Sequence, residues 1–199
     1  MNKIVTLLCS HRKDGKSSLV LEALSDCNNG DAVLFSDVSF KPCVHCANCR
    51  NGHCVKYLND GFNDLIDKIK LSDGFIVFSP LYSPIPSKLS AFLERLTSVS
   101  YFAQTLYNEE VPLKMKNCSV IGYDSSGRNS DLEILIKKII NPILTGYVEK
   151  GKVEEYKFVE LNNFQISSDN LIEYFYNTFT KMNLTESDIN ENRIKCNNA

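Results

Sequence analysis

Apolar runs of strand length alternate with helical patterns along most of this chain. Lys3–Cys9 is a nearly continuous apolar run, which is typical of a strand buried on both faces. Beyond a polar loop, apolar residues recur at the spacing of one helix face: Val20, Ala23, Leu24 and Cys27. Strand, loop and helix therefore form one unit, which the rest of the chain repeats.

The same pattern predicts five such units. Further strands are predicted at Ala32–Val38, Gly74–Ser79, Cys118–Tyr123 and Val153–Leu161, the last charged enough for a sheet edge. Helical faces are predicted at 62–69, 89–96, 132–140 and 172–179. Right-handed crossovers then give an α/β fold, a doubly wound three-layer sandwich with a five-stranded parallel sheet. Ligands bind such sheets at the carboxyl ends of the strands, so the loops after the first, third and fourth strands should form the site.

Composition limits the class of protein. With 199 residues and 43% hydrophobic content, residues 1–199 can bury one core and are most simply a single domain, with a polar C-terminal tail from about 183. A net charge of -2 gives no electrostatic reason to expect a nucleic-acid or anionic-membrane partner. The N-terminus has no cleavage-site pattern and no stretch reaches membrane-spanning length, so we expect a cytoplasmic protein.

The first loop, CSHRKDGKSS at 9–18, opens a helix whose free N–H groups and dipole favour a phosphate. Its hydroxyl and basic side chains are Ser10, Arg12, Lys16, Ser17 and Ser18. An ordinary helix cap with solvated basic residues explains the same pattern. The GKS at 15–17 also resembles the end of a nucleotide-binding P-loop, but that motif needs glycine at position 10, where this chain has serine.

Two further loops belong to the same predicted edge. After the third strand, SPLYSPIPSKLSAFLERL at 79–96 is stiffened by prolines and could present Tyr82 to a flat ring, or Tyr82 could simply pack against the loop. After the fourth strand, Asp124, Ser125 and Gly127 lie in a polar turn that could equally be a helix entry.

Four of the eight cysteines are clustered: Cys43, Cys46, Cys49 and Cys54. Their C-x2-C-x2-C-x4-C spacing places soft ligands in one loop, resembling ferredoxin binding of an iron-sulfur centre. Zinc is the main metal alternative, and empty thiols are the other. His45 and His53 are interpreted as polar loop residues, and the three histidines of the chain form no recognisable catalytic triad.

Taken in order, the loops CSHRKDGKSS, PCVHCANCRNGHC and SPLYSPIPSKLSAFLERL make residues 1–128 resemble the NADPH-dependent FMN reductases of the flavodoxin-like superfamily, especially its iron-sulfur flavoproteins. The resemblance implies a flavodoxin-like fold with FMN phosphate on Ser10, Arg12, Ser17 and Ser18. It places the isoalloxazine ring on Pro80, Leu81, Tyr82 and Ser83, with Asp124, Ser125 and Gly127 closing the site.

The same resemblance implies a [4Fe-4S] cluster on the four clustered cysteines, NAD(P)H as electron donor, and a homo-oligomer. The irregular, aromatic-rich segment 98–116 is predicted to form an interface or a cover over the flavin. Two positions depart from the family: Asn59-Asp60-Gly61 replaces two adjacent acidic residues, and Ser90 replaces a lysine. Two alternatives remain: an electron-transfer flavoprotein that docks to ferredoxin-like partners, and a noncatalytic, metal-stabilised interaction domain.

Overall fold

A computed structural model describes residues 3–13, 15–25, 30–80, 85–109, 113, 117–124 and 153–160. Within them, the helices are α1 (Lys16–Ser25), α2 (Gly61–Lys70) and α3 (Ser87–Tyr107). The strands are β1 (Ile4–Leu8), β2 (Gly30–Leu34), β3 (Cys49–Arg50), β4 (His53–Cys54), β5 (Gly74–Pro80), β6 (Asn117–Asp124) and β7 (Val153–Glu160). No helix in this part of the chain is long and apolar enough to cross a membrane.

Five parallel strands form the main sheet, in the order β2-β1-β5-β6-β7. The predicted five-stranded parallel sheet is thus confirmed, with β7 at its edge as the charged sequence indicated. The chain passes from β1 to β2 on one side and returns to β5 on the other. Strand order therefore reverses between β1 and β5, and the loops leaving these strands bound a crevice at the carboxyl edge.

The two central strands are buried on both faces, as their apolar sequences predicted. Every residue of β1 and β5 is buried. Because side chains alternate along a strand, one face presents Val5, Leu7, Phe75 and Val77, which pack with Phe62 and Phe92 of α2 and α3. The opposite face presents Ile4, Leu8, Ile76 and Phe78, which are at most 1% exposed. Both faces are covered, as a three-layer arrangement requires.

Helix α3 is longer than the sequence indicated. The segment 98–116 was expected to be irregular, but Ser98–Tyr107 continues the helix, so that expectation was wrong for these residues. The apolar face extends through the buried Val99 and Ala103. Buried serines interrupt the apolar pattern in this stretch, and they hid the helical period from sequence analysis.

Strand β2 ends earlier than predicted. Instead of Ala32–Val38, the strand covers Gly30–Leu34, and a turn follows at 35–37. The N–H of Asp37 donates to the carbonyl of Leu34 at 3.0 Å and closes this turn. The apolar sequence extends beyond the end of the strand because Phe35, which lies in the turn, is buried in the core.

Three expectations concern residues outside the described ranges. These are the helical faces at 132–140 and 172–179 and the polar tail from about 183. The single-domain organisation of residues 1–199 stays a prediction.

Candidate functional site

The β1–α1 turn, residues 10–18, lies at the carboxyl edge of the central strands. Ser10 and Ser17 are buried within it, at 6% and 1% exposure. The N–H of Arg12 donates to Ser10 Oγ at 3.1 Å, and the hydroxyl of Ser18 donates to the Gly15 carbonyl at 2.6 Å. These bonds hold the turn folded over the start of α1, where helix N–H groups favour an anion.

Gly15 lies close to two side chains of this turn. A Cβ on Gly15 would lie 3.9 Å from Ser10 Oγ and 3.8 Å from Arg12 Cβ, which are ordinary contact distances. Lys16 is the first residue of α1, and Arg12 is exposed. Residues 10–18 thus fit a bound phosphate.

Side chains tie the β1–α1 turn to the neighbouring loops. Lys13 Nζ lies 2.8 Å from Asp37 Oδ1, and this hydrogen bond lowers the pKa of the Asp37 carboxyl. His11 Nε2 lies 3.3 Å from Ser87 Oγ, at the start of α3. The ammonium of Lys88 donates to backbone carbonyls of residues 35, 36 and 38. The loops after β1 and β2 and the start of α3 are therefore fixed relative to one another.

The predicted ring-binding residues are only partly within the described ranges. Pro80 ends β5, is buried, and pairs with Tyr123 of β6. Asp124 is the next residue of β6, so these two predicted site residues end neighbouring strands at one edge. Outside the described ranges lie Leu81, Tyr82, Ser83, Ser125 and Gly127.

The cysteine loop, residues 43–54, contains a short hairpin that places two of its cysteines opposite each other. Strands β3 and β4 are joined by Asn51-Gly52, both with positive φ, as a type I′ turn requires. Cys49 lies opposite Cys54, and the N–H of residue 55 donates to the carbonyl of residue 48. Cys49 and Cys54 thus form the closer, non-hydrogen-bonded pair, with Cα atoms about 4.5 Å apart and side chains on one face.

Helix α3 and one residue of α2 hold this cysteine loop. Cys43 Sγ lies 3.2 Å from Ser98 Oγ, and its N–H donates to Glu94 at 3.2 Å. Asn63 accepts from the Cys54 N–H at 2.9 Å and donates to the Cys54 carbonyl at 3.1 Å. Farther along α3, the Tyr107 hydroxyl donates to a loop carbonyl. These anchors were not predicted from the sequence, although polar residues within apolar helical patterns were the available signal.

The backbone of the loop also directs a donor at sulfur. His45 has a left-handed φ of 47°, and its N–H donates to Cys43 Sγ at 3.3 Å. Its side chain lies 3.5 Å from Glu94, and His53 lies 2.7 Å from Asp67. Both histidines are thus engaged with carboxylates, in keeping with their interpretation as polar loop residues.

The four cysteines of the loop are free thiols that influence one another. Burial, followed by the charges of Cys54, Cys43 and Cys46, raises the pKa of Cys49 to about 12, whereas Arg95 lowers it. In the described residues, no three His, Cys, Asp or Glu side chains are close enough to hold one metal ion.

Asp60 joins the start of the cysteine loop to both helices. Its carboxylate accepts from the N–H of Lys41 at 3.1 Å and from the N–H of Phe62 at 3.3 Å, and so caps α2. It also forms an ion pair with Arg95 of α3. The guanidinium of Arg95 is 1% exposed and lies 4.1 Å from the centre of the Phe62 ring.

The structure shows the surroundings of the two positions that depart from the family pattern, Asn59-Asp60-Gly61 and Ser90. A Cβ on Gly61 would lie 2.6 Å from Val38 Cγ1, so an acidic side chain at position 61 would require Val38 to shift. Asn59, on the other side of Asp60, is exposed. Ser90 is exposed on α3, and the ammonium in this region belongs to Lys88, two positions earlier.

Comparison with known proteins gives one family and one curated relative. The sequence profile of the NADPH-dependent FMN reductase family matches residues 2–134. An iron-sulfur flavoprotein of Methanosarcina thermophila is 33% identical over 67 residues, which are 33% of this chain and 34% of that protein. The match thus spans about a third of that relative's length.

Solved structures with similar folds include two redox enzymes. An NAD(P)H:quinone oxidoreductase from Methanothermobacter marburgensis has a TM-score of 0.56 and 14% identity, covering 87% of this chain and 90% of that chain. An FMN-dependent NADH-azoreductase from Bacillus anthracis, in complex with FMN, has a TM-score of 0.56 and 12% identity, covering 90% and 99%. Identities this low support the shared fold alone.

Proposed function

We propose, because this chain belongs to the NADPH-dependent FMN reductase family, that it is a flavin-dependent oxidoreductase with FMN at the β1/β5 crevice and a [4Fe-4S] cluster in its cysteine loop. The observation that carries the flavin proposal is the β1–α1 turn, with buried Ser10 and Ser17 at the start of α1. It lies where a doubly wound sheet of this strand order binds its ligand.

The residues of the turn would hold the phosphate end of FMN. Hydroxyls of Ser10 and Ser17 and the N–H groups that begin α1 would supply donors, while Arg12 and Lys16 would supply charge. Ser18 would join them when its hydroxyl turns from the Gly15 carbonyl to the phosphate. We place the ring beside Pro80, Leu81, Tyr82 and Ser83, with Asp124, Ser125 and Gly127 at the neighbouring edge. Bound FMN supplies hydride acceptance from a nicotinamide and electron release singly or in pairs.

A phosphate-selective binding experiment tests the flavin site. Ser17→Ala combined with Ser18→Ala should weaken FMN at least tenfold and riboflavin less than threefold, since only FMN carries the phosphate. Ser39→Ala, which removes an exposed hydroxyl elsewhere, is the matched control and should change neither. Fluorescence titration measures both ligands. Equal losses for FMN and riboflavin would contradict the placement of the phosphate, and no FMN binding by the folded wild type would contradict the flavin proposal.

The cysteine spacing and the curated relative support a cluster over zinc. Cys43, Cys46, Cys49 and Cys54 follow a C-x2-C-x2-C-x4-C pattern that resembles ferredoxin binding of an iron-sulfur centre. The relative that is 33% identical over 67 residues is an iron-sulfur flavoprotein. When bound, a cluster would supply one-electron transfer. The Cys43 thiol donates to Ser98 Oγ, and the His45 N–H donates to Cys43 Sγ. With Cys43 as a thiolate, Ser98 would donate to the sulfur as well.

Metal analysis after anaerobic purification tests the cluster. About four iron and four acid-labile sulfide per chain are expected. Cys46→Ser should lose iron while FMN binding is retained. Cys9→Ala removes a buried thiol outside the loop and should leave the iron content unchanged. Zinc at one per chain, or reduced protein that takes up neither metal, would contradict the cluster and leave a simpler FMN reductase.

We propose NAD(P)H as the electron donor, in keeping with the family. Anaerobic oxidation of NADH and of NADPH by FMN-loaded protein should be rapid with at least one of them. Reduction only through a ferredoxin-like protein would instead favour the docking electron-transfer alternative. Membership in an enzyme family makes the noncatalytic alternative the less favoured one.

We further propose a homo-oligomer in the cytoplasm. On the part of α3 predicted to reach an interface, Tyr101 and Leu106 are 52% and 55% exposed. A reducing compartment would keep the loop cysteines as thiols. Sedimentation across the micromolar range should give a mass above one chain, and Leu106→Glu should lower it. A monomer throughout that range would contradict the oligomer.

A further inference from the structure

Helix α3 carries a buried cation with unused donors. Arg95 is 1% exposed, and within the described residues its Nε and Nη2 have no hydrogen-bond partner. Nη1 donates hydrogen bonds to the Asp60 carboxylate and to the carbonyl of Lys41. Buried N–H groups of a charged side chain are costly to leave unpaired. They indicate an acceptor that the described protein atoms do not supply.

The position of Arg95 identifies the chemistry of that acceptor. On one side along the helix, Glu94 accepts from the Cys43 N–H, and on the other, Ser98 contacts Cys43 Sγ. Nη1 of Arg95 donates to the carbonyl of Lys41, two residues before Cys43, at 3.3 Å. The guanidinium is therefore close to the loop in which four thiolates would gather. The partner best suited to a buried cation at this place is an anion held by those sulfurs.

We propose that the Nε and Nη2 groups of Arg95 donate to the sulfur anions of the cysteine loop, so that Arg95 is a positioning residue that favours electron uptake there. This inference rests on the cluster proposed above. Addition of an electron adds one negative charge to the site, and a fixed cation in a dry environment stabilises that extra charge. Net charge and hydrogen bonds to sulfur are known determinants of cluster potentials. Glu94 and Asp60 are the nearby carboxylates that oppose this effect, and Asp60 is bound at Nη1.

Midpoint potentials of two substitutions test the proposal. Arg95→Met keeps an apolar stem of similar length and should make one-electron reduction at least tenfold less favourable, which is about 59 mV for a one-electron couple. Arg95→Lys keeps the charge and should recover at least half of that shift. Lys41→Ala removes an exposed cation near the loop and should change the equilibrium less than twofold, because water screens it. Potentials are measured by anaerobic dye-linked titration of protein with matched iron content.

The outcomes separate this inference from the cluster proposal. Absence of iron and sulfide from the wild-type protein would overturn both the cluster and the role of Arg95. Wild type with a full cluster, but an unchanged potential in Arg95→Met, overturns only the role of Arg95. Equal shifts in the Met and Lys variants would also overturn it, because a purely structural contribution of the side chain would explain them. Where Arg95→Met does not fold, Arg95→Gln replaces it with the same expected shift.

Discussion

Replacement of Asn63 by alanine should weaken the cysteine loop through two backbone groups. The Asn63 side chain is 7% exposed and makes hydrogen bonds of 2.9 and 3.1 Å to the N–H and carbonyl of Cys54. Cys54 is itself buried, at 8% exposure. Asn63→Ala therefore leaves a donor and an acceptor without their partner in a place where solvent enters poorly.

The expected loss follows from these two groups. A buried polar group left unsatisfied costs about 1–3 kcal/mol, so two groups give about 2–6 kcal/mol before relaxation. The space left by the amide is large enough for water to re-satisfy one group, which brings the expected loss to about 2–4 kcal/mol. For a protein of this size, that corresponds to a fall in Tm of roughly 5–15 °C.

Urea unfolding of the reduced apoprotein measures this loss. Working without cofactors matters because ligands that bind only the native state raise its apparent stability. Asn59→Ala is the matched control, since Asn59 is exposed and its loss should change the free energy of unfolding by less than about 0.5 kcal/mol. A loss below about 0.5 kcal/mol for Asn63→Ala, with an unchanged m-value, would refute the reasoning. It would mean that the hairpin is held by other contacts.

Three further substitutions probe the loop and its supports. Gly61→Ala should destabilise by about 1–3 kcal/mol, measured by urea unfolding, because its Cβ would lie 2.6 Å from Val38 Cγ1; a stability equal to wild type would contradict this close approach. Ser98→Ala should lower the midpoint potential of the cluster, because the hydroxyl 3.2 Å from Cys43 Sγ is lost. An unchanged potential at equal iron content would contradict this contribution of Ser98. Tyr107→Phe removes one hydrogen bond to the loop, worth about 1 kcal/mol, and should speed local amide exchange there about fivefold. Unaltered exchange would show that this hydrogen bond does not hold the loop.

The sheet and its ligand edge were predictable because buried parallel strands have a simple signature. The apolar runs at Lys3–Cys9 and Gly74–Ser79 lie on β1 and β5, within one residue at each end. Their burial on both faces leaves no polar alternation to obscure the pattern. The polar loop after β1 then follows at the carboxyl edge, because strand direction alone determines which end of the sheet a loop leaves.

The partners of the residues that support the cysteine loop were not predictable for a physical reason. Buried polar residues such as Asn63 and Ser98 indicate that a partner exists, but not which one. Glu94 and Ser98 reach Cys43 from 51 and 55 residues away, and no local spacing marks such long-range contacts. The hairpin itself had a local signal, since Asn51-Gly52 is a favoured type I′ turn. The cysteines around it were interpreted only as ligands, and the position of Cys49 opposite Cys54 on two strands was not predicted.

Helix α3 relates the two proposed cofactor sites within one chain. Lys88 and Ser87 near its start bind the loops at the flavin side, whereas Ser98 contacts the cysteine loop. Lys88 and Ser98 are ten residues apart, which is about 15 Å along the helix axis. The two groups that we propose would thus be held at a fixed but substantial separation in a single chain.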